Sequence, residues 1–287
     1  MELCDFDHEI YRSNEDLQQM NDDELEEHFF SYGISEGRIY GKIKGRNDFI
    51  EAIKKEGNML EIGPLDNPQL DHLSPNYYSI DVFNKEQLVN KYINDPNVSI
   101  EKIVEPSYAI ADNDYSSIKE KFDCIFSSHN IEHIPCVVTF LKNLEGLLTD
   151  DGCIYFIIPD KRYCFDHFKK ETDIYDVLQA YYEKSTRPKF TDVLKMLTQV
   201  THNNCVEHWN NNHGTIDPAD LVKYYPGILN LCNISSYVDA HVSFFTPKNF
   251  SEIIHALNEL KLVNLKIHRI YHTLRYNLEF YAILKRA

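Results

Sequence analysis

The stretch NMLEIGPLDNP, residues 58–68, decides the fold of this chain. A short apolar run over residues 58–62 turns at Gly63-Pro64, and a second run, YYSIDV at 77–82, ends on the acid Asp81. A strand, a glycine turn, a helix and a strand ending in an acid are typical of a nucleotide site at the carboxyl edge of a parallel sheet. Gly63 would let the backbone approach a ligand, and Asp81 would accept hydrogen bonds from ribose hydroxyls.

On either side of this stretch, short apolar runs alternate with segments that have helical periodicity. FDCIFS (122–127) and CIYFII (153–158) read as buried strands, and residues 135–148 place their apolar side chains on one helix face. Residues 100–104 and 108–111 compete for the third strand. A helix is expected from Thr246-Pro247 to about residue 260, followed by an antiparallel pair at 262–270 and 278–284. The pattern predicts a doubly wound α/β sheet.

Two segments depart from this alternation. Residues 1–56 have helix-forming character without a strong strand, so we expect an N-terminal helical extension before a main domain at 57–287. Residues 161–240 are helix-prone, polar and rich in His and Asn, and we expect a helical insertion that covers the active site and binds the acceptor.

Composition narrows the class of protein. The formal net charge of −16 disfavours a nucleic-acid partner, and the basic residues Lys42, Lys44 and Arg46 are expected on a solvated face. The seven cysteines contain no C-x-x-C pair and suggest free thiols in a reducing compartment. No signal peptide or membrane span is expected, so we predict a cytoplasmic protein.

The turn after residue 62 disfavours a dinucleotide. The fingerprint G-x-G-x-x-G is absent, and Pro64 removes a backbone N–H that a pyrophosphate would need, while Glu61 and Asp66 add negative charge. These acids are compatible with a cationic cofactor such as S-adenosylmethionine (SAM), which carries an amine and a sulfonium. A Rossmann oxidoreductase is therefore disfavoured.

Several segments in order resemble the class I SAM-dependent methyltransferases: LEIGPLDNP (60–68), SIDVF (79–83), KFDCIFSSHNIEHIP (121–135) and residues 141–168. The resemblance implies a Rossmann-like, seven-stranded, mostly parallel sheet with the last strand antiparallel, and SAM as the cofactor, which leaves as S-adenosylhomocysteine. The chain departs from the family at Leu65, where many members have a second glycine. The cofactor-binding residues implied are Glu61, Gly63, Pro64, Asp81, Val82, Asp112 and Ser128.

The segment His129-Asn-Ile-Glu132-His133 bears the candidate catalytic residues, His129 and His133. His129 is the sharper candidate for a base that takes a proton from an acceptor hydroxyl. The motif also matches a zinc-protease pattern, which the adjacent strand and Pro135 disfavour. Glu132-His133 resembles the Glu-His pair that binds a divalent ion in plant small-RNA methyltransferases, but we expect no metal and a local structural role for these side chains.

Residues beyond the fifth strand are the candidates for binding the acceptor: Asp160, Arg162 and His241. The spacings of His202, His208 and His213 do not place them on one helix face, so no metal site is expected there. The aromatic residues that would stack on a sugar ring are Tyr181, Tyr182, Trp209, Tyr224 and Tyr225.

The acceptor is suggested by resemblance alone. Residues 158–168, 245–250 and 277–284 resemble bacterial methyltransferase-domain proteins associated with surface-glycan synthesis, and EHFFSYGISEGR (27–38) resembles a segment found beside glycosyltransferase domains. We therefore expect methyl transfer to a hydroxyl of a sugar or glycan precursor. Two alternatives stay open: a divalent-metal-assisted methyltransferase using Glu132 and His133, and a non-catalytic SAM-fold binding protein. The oligomeric state is left open.

Overall fold

The computed structural model describes residues 5–53, 55–111, 114–233 and 238–287. Its centre is one seven-stranded sheet in the order β3-β2-β1-β4-β5-β7-β6. The strands are β1 Met59–Ile62, β2 Tyr77–Asp81, β3 Tyr108–Ala109, β4 Phe122–Ser128, β5 Leu148–Pro159, β6 Leu265–Tyr271 and β7 Glu279–Arg286. Only β7 runs antiparallel to its neighbours. The predicted doubly wound, mostly parallel sheet is confirmed.

The central strands form because their side chains are apolar on both faces. All four residues of β1 are buried, and so is β5 from Gly152 to Pro159. Such continuous burial is expected where helices cover both faces of a parallel sheet. The third strand has only two residues, which explains why two runs competed for it: the later run contains β3, whereas Ile100–Lys102 is a 3-10 helix.

Eleven α-helical segments surround the sheet in the described part of the chain. They are α1 His8–Arg12, α2 Asp22–His28, α3 Ile34–Glu36, α4 Arg46–Glu51, α5 Lys85–Tyr92, α6 Val137–Leu147, α7 Ile174–Tyr182, α8 Phe190–Thr198, α9 Cys205–Trp209, α10 Ala219–Asn233 and α11 Pro247–Glu259. Helix α11 begins as predicted, since Thr246 accepts from Asn249 N and Pro247 is the first helical residue. A π-helical turn, Phe29–Gly33, joins α2 to α3.

The described residues of the N-terminal extension, from residue 5 onward, form short helices that pack beside the main sheet. Tyr11, Leu25 and Phe29 form a buried cluster with Leu274, which lies in the link between β6 and β7. At Gly37, φ is +64° and an added Cβ would lie 2.4 Å from Arg275 N, so the backbone of this segment touches that same link. The extension is thereby anchored beside the carboxyl edge of the sheet.

The segment after β5 contains helices α7 to α10 and has a small core of its own around Val193, Ile228 and Ala240. It is helical, as expected, although the domain limits remain a prediction. The cysteines that the structure describes are free thiols, and most of them are buried. Within the described ranges, no helix has both the length and the apolar character needed to span a membrane.

Candidate functional site

The order of the strands reverses between β1 and β4, and a cavity of about 270 Å³ opens at that point. We call it the switch-point cavity. Its walls include Gly63, Asp81, Val82, Ile110, His129 and His133. Because ligands of open α/β sheets bind outside the carboxyl ends of the strands at the reversal point, this cavity is the expected nucleotide site.

Two residues of the turn after β1 have left-handed backbone. Gly63 has φ +66°, and a Cβ there would meet only Asn130 Nδ2 at 3.6 Å, so the conformation rather than space favours glycine. Leu65 has φ +47° despite its side chain. The turn that many family members make with a second glycine is therefore made here with leucine, at a conformational cost of the order of 1 kcal/mol.

Asp81 lies at the carboxyl end of β2 and faces the switch-point cavity. Its Oδ1 accepts a 2.7 Å hydrogen bond from Val82 N. Burial raises the pKa of the carboxyl, whereas the N–H groups of Val82 and Phe83 and the charge of Lys91 lower it, and the net direction is upward. The carboxyl therefore lies at the cavity from the end of β2, the position from which the sequence predicts contact with ribose hydroxyls.

Glu61 does not line the switch-point cavity, and its carboxylate is used within the fold. Its oxygens accept from Gln69 N at 2.8 Å, Leu70 N at 3.2 Å and Tyr77 Oη at 3.2 Å. Burial is the largest influence and raises the pKa of Glu61 to about 7. The side chain therefore ties the loop after β1 to its own strand. Pro64 is likewise not a lining residue.

His129 follows β4 with φ +47° and is held by residues from distant segments. Its Nε2 lies 2.6 Å from Glu279 Oε1, and that oxygen also accepts from Arg46 Nη1 at 2.7 Å. Arg46 Nη2 donates to Ser128 Oγ at 2.8 Å, so Ser128 contacts the arginine and is not a cavity wall. Burial lowers the pKa of His129, but Glu279 and Glu132 raise it more, so the net shift is upward.

His133 and His241 each have a carboxylate at Nδ1. Nδ1 of His133 lies 2.9 Å from Asp239 Oδ1, and Nδ1 of His241 lies 2.5 Å from Asp166 Oδ2. Burial lowers the pKa of His133, whereas Asp239 and the neighbouring acids raise it above its usual value. The two rings meet edge to face with centroids 4.4 Å apart. The sequence marks both histidines as candidates, but no spacing in it predicts that their rings are in contact.

Glu132 lies between these two histidines and has an unusual environment. It is 1% exposed, and neither carboxylate oxygen has a hydrogen-bond partner among the residues that the structure describes. One ligand atom from each of Glu132, His133 and His241 lies within 4.8 Å of the other two. Oε1 lies 3.7 Å from His129 Nδ1, which is too far for a hydrogen bond. A buried carboxylate without hydrogen bonds is costly, so a bound cation or water would complement this group.

Asp160 and Arg162 form an ion pair beyond β5. Asp160 is completely buried, and its oxygens accept from Arg162 Nε at 2.9 Å, Arg162 Nη2 at 2.6 Å and Thr273 Oγ1 at 2.6 Å. These contacts favour anchoring of the insertion over the predicted binding of the acceptor. Arg162 also lines a second cavity.

This second cavity, which we call the insertion cavity, has a volume of about 790 Å³ and lies between the extension and the insertion. Arg38, Tyr163, Trp209 and Arg275 contribute to its walls. The rings of Tyr163 and Trp209 stack 3.9 Å apart, and Trp209 Nε1 donates to Asn277 O at 2.9 Å. Of the five aromatic residues predicted to stack on a sugar, only Trp209 lines either cavity. Asp112 lies outside the described residues.

The switch-point cavity fits SAM on the observations above. Gly63 opens the backbone toward it, Asp81 offers a carboxylate oxygen, and Val82 and Ile110 supply apolar walls for an adenine ring. His129 and His133 lie on the β4 side of the same cavity, where the reacting groups would meet.

Comparisons with known proteins agree with this architecture. A family model described as "Methyltransferase domain" matches residues 35–258, which is more than half of the chain. No curated protein matches the sequence.

Similar solved structures include an S-adenosylmethionine-dependent methyltransferase from Clostridium acetobutylicum, 12% identical over 93% of this chain and 100% of that chain, with a TM-score of 0.43. The CcbJ methyltransferase from Streptomyces caelestis is 11% identical over 83% and 92%, with a TM-score of 0.43. By the family match, together with its seven-stranded sheet, this chain belongs to the class I SAM-dependent methyltransferase family.

Proposed function

We propose that this protein transfers the methyl group of SAM to a hydroxyl of a sugar or glycan precursor. One observation carries the proposal: His133, ion-paired with Asp239, lines the same cavity as Gly63 and Asp81. A histidine with a carboxylate on one ring nitrogen is a suitable acceptor for a hydroxyl proton.

The residues of the switch-point cavity divide between holding the cofactor and handling the proton. Asp81 would bind the ribose hydroxyls, and Gly63 would let the methionine portion approach the backbone. When bound, SAM would supply a methyl group on a sulfonium. The sulfonium would become a neutral thioether when the methyl group passes to the acceptor oxygen. The acceptor proton goes to His133 Nε2, while Asp239 stabilises the imidazolium that results.

The contacts of His129 favour a positioning function. Its Nε2 is already engaged with Glu279, whereas Asp239 at Nδ1 of His133 leaves the other nitrogen of that ring for the acceptor. Ring orientation matters because a small misplacement of reacting groups lowers the rate strongly. His129 would thus hold the acceptor side of the cavity in shape.

A sugar acceptor is supported by the chemistry of the insertion cavity. Its volume of about 790 Å³ lies within the usual range for small-molecule sites. Trp209 and Tyr163 give it an aromatic wall, and Arg38 and Arg275 give it polar groups. Aromatic faces and hydrogen-bond donors together suit a polyhydroxylated ring.

The test is a transfer assay with SAM labelled in its methyl group and a panel of free hexoses, nucleotide sugars, amines and thiols. We expect label on a sugar hydroxyl. His133→Gln should lower turnover by at least about tenfold, as expected for loss of a general base. The exposed His255 provides the matched control, and His255→Gln should leave turnover unchanged. Label on an amine or thiol alone would contradict the proposal.

Glu132 favours a second candidate, a metal-assisted methyltransferase. The donor set of one carboxylate and two imidazoles suits Zn²⁺, Mn²⁺, Fe²⁺ or Co²⁺. Asp166 lies 2.5 Å from Nδ1 of His241, and Asp239 lies 2.9 Å from Nδ1 of His133 in an ion pair without hydrogen-bond geometry, so a carboxylate accompanies each histidine, as is common at metal sites. A cation there would bind the acceptor oxygen and lower its pKa.

The two candidates give opposite results after treatment with EDTA. Under the metal-assisted mechanism, activity would be lost and would return on addition of Mn²⁺, Co²⁺ or Zn²⁺, and Glu132→Gln would prevent the return. Activity that survives exhaustive chelation would exclude this mechanism and leave His133 as the proton acceptor.

A further inference from the structure

Three other histidine rings meet at the wall of the insertion cavity. One ring nitrogen from each of His167, His208 and His213 lies within 4.8 Å of the other two. His208 Nδ1 is 3.0 Å from His213 Nδ1, and the His167 and His213 rings stack with centroids 3.7 Å apart. His208 is 1% exposed, and none of the three lines the switch-point cavity. The cluster therefore lies at the cavity proposed for the acceptor and apart from the cavity proposed for the cofactor.

Local backbone features bring these rings together. Asn204 caps α9, so that His208 lies one turn into the helix. Gly214 has φ +70°, and a Cβ there would lie 2.4 Å from Thr201 Oγ1, so only glycine fits this turn. Thr201 Oγ1 donates to His213 O at 2.6 Å. The chain thus doubles back and presents His213 to His208. This contact depends on a turn rather than on helix spacing, and for that reason the spacing of the histidines did not predict it.

Backbone carbonyls set the tautomers of two of the rings. A carbonyl oxygen only accepts, so Nε2 of His208 must donate to His202 O at 3.1 Å, and Nδ1 of His167 must donate to Arg162 O at 2.8 Å. In the neutral rings the lone pairs then lie on His208 Nδ1 and His167 Nε2. Histidines that bind metals usually donate their other N–H to a carbonyl or carboxylate in this way.

The cluster also favours neutral rings, which metal binding requires. Burial is the largest cause that lowers the pKa of His208 and of His213, and the charges of the neighbouring histidines lower both further. The His167 ring lies close to the short contact between His208 and His213, so a further proton in this cluster is unfavourable. A divalent cation would satisfy all three lone pairs at once.

We propose that His167, His208 and His213 bind a divalent transition-metal ion, with Zn²⁺ the closest match. Three neutral imidazoles suit Zn²⁺, Co²⁺, Ni²⁺ or Cu²⁺ and exclude Mg²⁺ and Ca²⁺, which need oxygen ligands. Three protein ligands leave a fourth position open toward the insertion cavity, as in catalytic rather than structural zinc sites. An oxygen of a molecule in that cavity would complete the coordination. The metal site stands independently of the proposed O-methylation.

The experiment is a Co²⁺ titration of the full chain, followed by the visible absorption of the ion and by Zn²⁺ competition. Glu132→Gln serves as the background, because it removes the carboxylate of the other candidate metal cluster. In this background we expect one Co²⁺ per chain with a spectrum typical of four-coordinate nitrogen and oxygen ligands. Adding His213→Gln or His167→Gln should weaken binding by at least about tenfold.

His202→Gln is the matched control, since the His202 ring lies 4.3 Å from that of His208 but is not one of the three proposed ligands. Its ring nitrogens contact Asn212 O and Asn204 N, which a glutamine side chain can also reach. It should retain Co²⁺ affinity within about threefold of the background, below the effect of losing a ligand. Circular dichroism of each variant separates loss of a ligand from loss of the fold. The proposal would be overturned if the Glu132→Gln background showed no Co²⁺ absorption. It would also be overturned if the folded His213→Gln and His167→Gln variants both bound Co²⁺ as tightly as the background.

Discussion

Arg46, in the N-terminal extension, and Glu279, the first residue of β7, are joined by a hydrogen bond of 2.7 Å across most of the length of the chain. The predicted position of Arg46 on a solvated face is wrong, because its side chain is only 31% exposed and also contacts Ser128. The extension therefore contributes a charged group to the edge of the sheet that carries His129.

Replacement of this arginine should destabilise the fold. Arg46→Met removes three hydrogen bonds, to Glu279, Ser128 and Gln69, from a partly buried site. We therefore expect the free energy of unfolding to fall by about 1–3 kcal/mol. Lys44→Met is the control, because Lys44 is exposed and two positions away. Urea denaturation of both variants measures the difference. Equal stabilities would show that the link between the extension and β7 is energetically unimportant.

Asp81 should matter for cofactor affinity. Asp81→Ala removes the carboxylate at the end of β2, and we expect SAM binding to weaken by about 1–3 kcal/mol, the usual effect of losing a charged hydrogen-bond partner. Asp151→Ala is the control, since Asp151 is exposed and near the opposite end of β5. Isothermal titration calorimetry gives both affinities. Unchanged binding in the Asp81 variant would remove this residue from the cofactor site.

His129 should influence turnover more than cofactor affinity. His129→Asn is preferable to alanine because asparagine tolerates the positive φ of this position. We expect turnover to fall by about tenfold or more, while SAM affinity stays within about threefold, because Glu279 orients the ring on the acceptor side. Steady-state kinetics and calorimetry on the same preparation test this split. A loss of affinity at unchanged turnover would instead make His129 part of the cofactor pocket.

Much of the fold was predictable because its elements are local. The runs that became β1, β4 and β5 are mostly apolar, and burial on both faces requires such runs. The third strand was ambiguous because β3 is too short to show a pattern. Arg46 could not be placed in advance, since an arginine near lysines looks the same whether it lies in solvent or reaches another strand.

The candidate site also contains residues whose positions could be predicted and residues whose contacts could not. Gly63 and Asp81 follow from a strand order that recurs, so their place on the switch-point cavity was foreseeable. The hydrogen-bond partners of Glu61 could not be predicted, because they lie in the irregular loop at 69–70 and in β2. His241 joins His133 only after an insertion of about eighty residues has folded back, and no sequence period records that contact.

The ring of His272 should make the folded protein less stable in acid. Burial is the largest cause that lowers its pKa, to about 4, with Arg162 lowering it further. The ring lies within 6.4 Å of the Phe29 and Tyr40 rings, so it belongs to the junction with the N-terminal extension. In the unfolded chain the pKa is about 6.5. Between pH 6.5 and 4 the unfolded state therefore binds more protons, and folding stability falls as the pH falls.

His272→Phe should remove this dependence. Relative to the variant, the wild type should lose up to about 3 kcal/mol of unfolding free energy between pH 7 and pH 4, which corresponds to the depressed pKa. Chemical denaturation at intervals across that range measures the two slopes. His255→Gln should keep the slope of the wild type, since His255 is exposed. Parallel slopes for wild type and His272→Phe would mean that His272 is solvated in the folded protein, and that the extension does not cover it.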